Sequence, residues 1–494
     1  MKRYIGADLG TSALKLLLVD EHGNIENKVS KEYEVHYPAP GWSEQAPQDW
    51  WDAFVSGVKE LLCGIDRTTV CGIGVGGQMH GLVILDEQDQ VIRPAILWND
   101  GRTSKQTEYL NQIVGIETVA NATANIAFAG FTAPKLLWMK ETEPENFAKI
   151  RKIMLPKDYL NYRLTGSFCT DYSDASGMLL LDVEQKCWSK KMLEICGVLE
   201  DQMPKLCESF EVIGTLTPAV AELFGLSEIP VVAGGGDNAA AAVGTGTLEA
   251  GKCNISLGTS GTVFIPTDSF VPTENHSIHN FCHANGKYHL MGCILSAAAC
   301  NKWFCESILN TDDYNATQRS IFEDNLGNNH VYFLPYLMGE RSPINDTNAR
   351  GTFLGMRADT KREDMVLSVL EGVTFAIRQN FEVAKSMGVE ISRSTLCGGG
   401  TRSELWCKIL CNVLNIPLDI PKTEEGPGYG GAMLAMVGTG RYGCVEDCAK
   451  ALLSVQKTIL PDPELAARYE NQYRRFEKIY PAVKKLFQEL EGNL

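Results

Sequence analysis

The tetrapeptide Leu-Gly-Thr-Ser occurs at Leu9–Ser12 and again at Leu257–Ser260, half a chain apart. Each copy joins two apolar stretches that read as a strand hairpin, "YIGADLGTSALKLLLVD" early and "CNISLGTSGTVFI" late. A second, glycine-ended strand follows each copy, "CGIGVGGQMHG" in the first half and "LCGGGTRSE" in the second. Four matching residues alone are weak. Matching context around both copies points to two related domains. Helical patterns lie between the strands. "APQDWWDAFVSGVKELLCG" puts Trp51, Phe54, Val55, Val58 and Leu62 on one face, and "TRSELWCKILCNVLN" has its own apolar stripe. Alternation of strand and helix predicts an α/β fold with a mixed sheet in each half. The break is expected in "VGTGTLEAG", giving domains 1–246 and 247–494. The tail from about residue 436 reads as helical and packs back on the first domain.

Composition narrows the partners. Acidic residues outnumber basic ones 61 to 45, a formal charge of -16. That disfavours nucleic acid and anionic membranes. No run approaches the ~20 apolar residues of a membrane span, and "MKRYIGADLG" lacks the apolar core of a signal peptide. The 16 cysteines include no Cys-x-x-Cys and read as scattered reduced thiols, so a cytoplasmic protein is expected. A homodimer is left open.

The glycine turns carry the chemistry. Backbone N–H groups in a Gly-Thr-Ser turn form a small anion-binding concavity to which the hydroxyls add donors. Gly10, Thr11, Ser12 and Lys15 on one side, with Gly258, Thr259 and Ser260 on the other, are candidate phosphate contacts. Ordinary hairpin turns are the alternative. Asp8 ends the first strand beside its turn. A carboxylate next to polyphosphate is repelled unless a cation intervenes, which points to Mg²⁺ held by Asp8 largely through water. Gly398, Gly399 and Gly400 would let an adenine ring lie flat, or make a tight strand-to-helix turn. In "IPVVAGGGDNAAAAVGTG" a strand ends in glycines before Asp237. That residue reads either as a helix N-cap or as a carboxylate poised to accept a hydroxyl proton.

Taken together, "FTAPKLLWMKE", "GTFLGMRADTKREDMVLSVLEG", "GQMHG", "ILWNDGR", "FLPYLMGERSPINDTNARG", "GGGTRSELW" and "EGPGYGGA" resemble the FGGY family of carbohydrate kinases over nearly the whole chain, with the look of its xylulose kinase branch. The resemblance implies two ribonuclease H-like (actin-like ATPase) domains around a central cleft. It implies ATP and Mg²⁺ as cofactors, a small sugar as substrate, and phosphorylation of D-xylulose at carbon five. It makes Asp237 the general base, Asp8 the acidic residue near the metal, and Met79, His80 and Asn238 sugar-pocket residues. On this reading the glycines of "GVGGQMHG" let substrate approach the strand end. Trp98, Asn99 and Asp100 add polar groups for hydroxyls, with an Asp100–Arg102 salt bridge as the alternative for Asp100. Tyr429 stands where the family pattern is usually smaller. Rival readings are a kinase for another ketose, polyol or sugar acid, and a chaperone- or actin-like ATPase; the second needs no sugar pocket.

Overall fold

The computed structural model describes residues 1–273, 276–423 and 425–491. The chain forms two compact units. One comprises Met1–Leu248, Asn280–His289 and Glu425–Leu453; the other comprises Glu249–His279, Leu290–Glu424 and Ser454–Leu494. The crossing between them lies inside "VGTGTLEAG", and two later segments return to the first unit.

We number the strands of the two main sheets β1 to β14. The first sheet contains β1 (Arg3–Leu9), β2 (Ala13–Asp20), β3 (Ile25–Glu32), β4 (Val70–Gly77), β5 (Val212–Thr215), β6 (Pro230–Val232) and β7 (Gly235–Gly236). Its order is β3-β2-β1-β4-β6-β5, with β7 also beside β4. β1 is antiparallel to β2 and parallel to β4, β4 is parallel to β6, and β5 closes the edge antiparallel. The second sheet contains β8 (Gly251–Leu257), β9 (Gly261–Thr267), β10 (His279–Cys282), β11 (Tyr288–Ile294), β12 (Ile391–Cys397), β13 (Leu418–Pro421) and β14 (Val455–Ile459). It runs β10-β11-β9-β8-β12-β13-β14. The pairing signs repeat: β8 is antiparallel to β9 and parallel to β12, β12 is parallel to β13, and β14 is antiparallel. The two Leu-Gly-Thr-Ser turns therefore occupy equivalent places, between the first two strands of each sheet.

Side-chain alternation along β1 assigns the two faces of the first sheet. Ile5, Ala7 and Leu9 join Leu14, Leu16 and Leu18 in a core with Trp50, Phe54, Val58 and Leu61 of the helix Pro47–Leu61. The opposite face carries Gly6 and, on β4, Gly74. A Cβ on Gly6 would lie 1.9 Å from the Gly428 carbonyl oxygen, and one on Gly74 would lie 2.1 Å from that of Gly431. The helix Gly426–Gly438 thus sits directly on the backbone of the sheet. Both faces of the parallel strands are covered, as parallel sheets require. The second unit has its own core, in which Ile255, Leu257 and Leu396 of the sheet pack with Leu370, Phe375 and Trp406.

The tail after residue 436 departs from both expectations: it is not all helical, and only its part up to Leu453 belongs to the first unit, Ser454–Leu494 belonging to the second. Val455–Ile459 pairs with β13 as an edge strand. Its β-branched ends and exposed polar middle suit a half-solvated edge better than a helix. Among the described residues no helix is long and apolar enough to cross a membrane. All 16 cysteines are free thiols.

Candidate active site

In the first unit, β1, β4 and β7 lie side by side and end together. Asp8 pairs with Gly76, and Gly76 pairs with Gly235. Beyond these ends follow the Gly10–Ser12 turn, Gln78–His80 and Asp237. Carboxyl ends of neighbouring strands are where open α/β sheets bind ligands. The local sequence produces this convergence: each strand runs into glycine, which ends pairing and turns the chain.

Asp237 is the first residue of the helix Asp237–Thr245, and Gly236 holds the N-cap position. The N-cap reading of Asp237 is therefore replaced. Its Oδ1 instead accepts from the backbone N–H of Asn238 at 2.7 Å and from Asn238 Nδ2 at 2.8 Å. Burial pushes its carboxyl up to about 6, against the two Asn238 bonds that hold it down. Desolvation of the anion outweighs local donors here. Asp8 is half-buried, and its carboxyl is raised to about 7, chiefly by burial and then by the Asp237 and Glu425 charges, with Lys15 opposing them. Lys15 stands opposite Asp8 on β2 and lies 3.9 Å from Glu425.

Met79 is buried against Gly236, where an added Cβ would meet its Cγ at 2.9 Å. His80 adopts a left-handed backbone with φ of 70°. Its Nδ1 is 2.7 Å from the Gly177 carbonyl oxygen, and its ring centroid is 4.6 Å from that of Phe131. Lys135 and Thr132 both donate to the His80 carbonyl. Both faces of the Met79–His80 turn are thus fixed by the protein. Trp98 is partly exposed and donates Nε1–H to Thr11 Oγ1 at 2.9 Å, joining the "WNDGR" segment to the first glycine turn. Asn238 is half-buried beside Asp237, and Asn99 is exposed on the turn after Trp98.

One reading needs correction, and another gains a second cause. Asp100 is buried, and Oδ1 accepts from Arg102 backbone N–H and Nε at 2.9 Å, while Oδ2 accepts from Arg102 at 2.7 Å and from the Ser43 N–H at 2.5 Å. Arg102 also pairs with Glu44 and lies 3.7 Å over Trp42. The carboxylate holds its loop and is saturated by the salt bridge, so it is not a hydroxyl-binding group. The glycines of "GVGGQMHG" also have a packing cause. Gly74 meets Gly431, Gly76 meets Ala240 and Pro427, and Gly77 meets Lys157. They let helices approach the sheet. Tyr429, in the "EGPGYGGA" segment, is buried within the same unit and donates its hydroxyl to the Gly23 carbonyl at 2.8 Å.

In the second unit, Gly258, Thr259 and Ser260 follow β8, and Gly398–Gly400 follow the neighbouring β12. A Cβ on Gly398 would lie 2.7 Å from the Leu257 carbonyl, so the two turns touch through backbone. A cavity of 740 Å³ opens beside them, lined by Thr259, Lys302, Trp303, Gly399, Gly400 and Arg402. Its size is that of a small-ligand or cofactor site.

Some residues escaped the sequence reading. Gln78 Nε2 donates to Gln45 Oε1 at 3.1 Å, and Gln45 donates to the Thr11 carbonyl at 2.6 Å, bracing the first turn. Gln78 was visible in "GQMHG", but Gln45 had no signal. Glu425 entered only as part of a motif, and its proximity to Lys15 is a tertiary fact.

Residues 3–244 match the N-terminal domain, and residues 253–439 the C-terminal domain, of the FGGY family of carbohydrate kinases; the chain belongs to that family. It is a carbohydrate kinase with the two-domain actin-like ATPase fold. The xylulose kinase of Escherichia coli (strain K12) is 40% identical over 479 residues, covering 97% of this chain and 98% of that protein. A crystal structure of a xyloylose kinase from Brucella ovis matches with a TM-score of 0.93 at 39% identity, covering 98% of this chain and 100% of the other. The gluconate kinase structure from Lactobacillus acidophilus has a TM-score of 0.94 at 24% identity, covering 99% of each chain. Fold alone therefore does not choose among sugars.

Proposed function

We propose that this kinase transfers the terminal phosphoryl group of ATP to the carbon-5 hydroxyl of D-xylulose, with Asp237 accepting the hydroxyl proton. The observation that carries the reading is Asp237 itself: a carboxylate at a strand end, directly after the Gly236 that abuts Met79, raised by burial to about 6. At neutral pH it is ionised yet more basic than an exposed aspartate. For a loose phosphoryl-transfer transition state, positioning counts for more than base strength. Sugar identity rests on the similarity to xylulose kinases.

His80, Met79, Asn238, Trp98 and Asn99 are proposed to contact the sugar. The phosphates are assigned to Gly10–Ser12 with Lys15 and to Gly258–Ser260, and the adenine to the cavity beside Gly398–Gly400. A divalent ion fits the first unit. Asp8 supplies an oxygen donor where the Asp237 and Glu425 charges already oppose its ionisation, so a cation would relieve that repulsion. Asp8 would hold Mg²⁺ mainly through the ion's own water, since this ion keeps most of its hydration shell. When bound, Mg²⁺ would neutralise phosphate charge. A cytoplasmic setting fits the sixteen free thiols.

A 2-ketopentose phosphorylated at carbon five must bind as the open chain, because its furanose ring consumes that hydroxyl. D-Ribulose differs only in configuration at carbon three. One displaced hydroxyl leaves a pocket group unpaired, which discriminates strongly. In a coupled assay, kcat/KM for D-xylulose is expected to exceed that for D-ribulose by at least ~10-fold, about 1.4 kcal/mol. Equal or better use of D-ribulose, glycerol or gluconate would remove the xylulose assignment and leave the kinase intact.

A further inference from the structure

Behind the strand end that carries Asp237 lies a buried polar network that the reaction chemistry does not use. The strand Cys169–Asp171 leads into the short helix Tyr172–Ala175. Asp171, Ser173 and Lys157 are fully buried. Asp171 Oδ2 accepts from the Ser173 backbone N–H at 2.9 Å, from Ser173 Oγ at 2.5 Å and from Ser209 Oγ at 2.7 Å. Lys157 Nζ lies 2.9 Å from Asp171 Oδ1 and 2.7 Å from Asp158. The nearby carboxylates hold the Lys157 ammonium well above its usual range despite burial, so its charge persists.

This arrangement fixes the direction of one hydroxyl. A carboxylate oxygen only accepts, so the Ser173 proton must point at Asp171. A serine hydroxyl has one donor and two acceptor sites, and its lone pair then faces away from Asp171. There it accepts the Gly236 backbone N–H at 3.1 Å. Gly236 immediately precedes Asp237 and also abuts Met79. Gly236 thus contacts both Ser173, through its N–H, and the Met79 side chain.

We propose that Ser173 is a positioning residue for phosphoryl transfer: oriented by Asp171, it anchors the Gly236 peptide and thereby sets where the Asp237 carboxylate meets the sugar hydroxyl. The inference rests on Asp237 being the base. Displacement of a catalytic group by a fraction of an ångström to 1 Å lowers turnover without loosening substrate, because it spoils only the reactive geometry. Ser209 provides the control, since its side chain bonds the same Asp171 oxygen and does not reach Gly236.

The test compares Ser173→Ala, Ser173→Thr, Ser209→Ala and Asp237→Asn by steady-state kinetics with ATP and D-xylulose and by thermal unfolding. Ser173→Ala is expected to lower kcat about tenfold with sugar KM within about twofold. Ser173→Thr, which keeps the hydroxyl, is expected to recover kcat to within about threefold of wild type. Ser209→Ala is expected to lower the melting temperature by a similar amount to Ser173→Ala with a much smaller loss of kcat. Parallel losses of melting temperature and kcat in both alanine variants, or no rescue by threonine, would make the serine merely structural and overturn the proposal. Full kcat in Ser173→Ala beside an inactive Asp237→Asn would overturn it alone. Near-normal turnover in Asp237→Asn would instead overturn the base reading. If Ser173→Ala does not fold, hydrogen exchange of wild type decides: the Gly236 amide is expected among the slowest of its unit, and fast exchange there would contradict the anchor.

Discussion

Asp237 sits where helix geometry and burial oppose one another. At the start of a helix a carboxylate is favoured as the anion; buried, it is disfavoured. Burial prevails, raising it to about 6. Two expectations follow at this scale. First, kcat/KM for the sugar is expected to climb about tenfold per pH unit below ~6 and flatten above it, because the base must be unprotonated in the free enzyme. Asp237→Asn is expected to abolish that limb and lower kcat at least ~10²-fold, with sugar affinity little changed; an unaltered profile would leave the residue out of the chemistry. Second, a raised carboxyl destabilises the fold when it ionises. The unfolded chain releases this proton near pH ~4, the folded chain near 6. The stability it contributes is complete below the lower value and lost as pH rises through the upper one. Asp237→Asn is therefore expected to melt above wild type at pH 8, with the gap narrowing toward pH 4. A gap independent of pH would contradict the burial account.

At the scale of elements, glycine has two distinct uses. Along "VCGIGVGG" it alternates with Ile73 and Val75, so one face of β4 joins a core while the other admits the backbone of the helix Gly426–Gly438. Gly74→Ala would drive a methyl into the Gly431 carbonyl, where no flexible side chain can yield. We expect a loss on the order of 3 kcal/mol, seen as a lower denaturation midpoint. Gly399 is the opposite case, with no heavy atom within 4 Å of an added Cβ and a place in the wall of the 740 Å³ cavity. Gly399→Ala is expected to leave stability intact and raise KM for ATP severalfold. Normal KM would detach the nucleotide from that wall. The helix starts show the same dependence on context. "TRSELWCKILCNVLN" offers a capping box from Thr401, yet Ser403 caps the helix Glu404–Leu414 by accepting from the Trp406 N–H at 3.0 Å. Thr401 is engaged with the Gly398 carbonyl in the preceding turn.

Across the whole molecule, the proposed chemistry is divided between the two sheets. The proposed base and sugar residues belong to the first unit, and the cavity with its glycine turns belongs to the second. Hydrogen exchange can read each separately. ADP alone is expected to slow exchange at residues 257–260 and 398–403, and D-xylulose alone at residues 78–80 and 236–238. ADP protection confined to the first unit would reverse the assignment of the cavity.

The doubled architecture is legible in the chain, because Leu-Gly-Thr-Ser and the glycine-ended strands are local signals that recur wherever the chain repeats a turn. The sequence also placed Asp8, Met79, His80 and Asp237 at strand ends, since strand and turn patterns span only a few residues. What those residues meet depends on packing between segments far apart in the chain. Asp100 became a saturated ion-pair partner because Arg102, Glu44 and the Ser43 N–H converge on its loop. The glycines of β4 became a helix seat because residues 426–438, far along the chain, return to that sheet. Ser173 reached Gly236 in the same way. Contacts at long sequence separation leave no periodic trace in the chain, and burial, which sets the protonation of Asp8 and Asp237, is a property of everything packed around them.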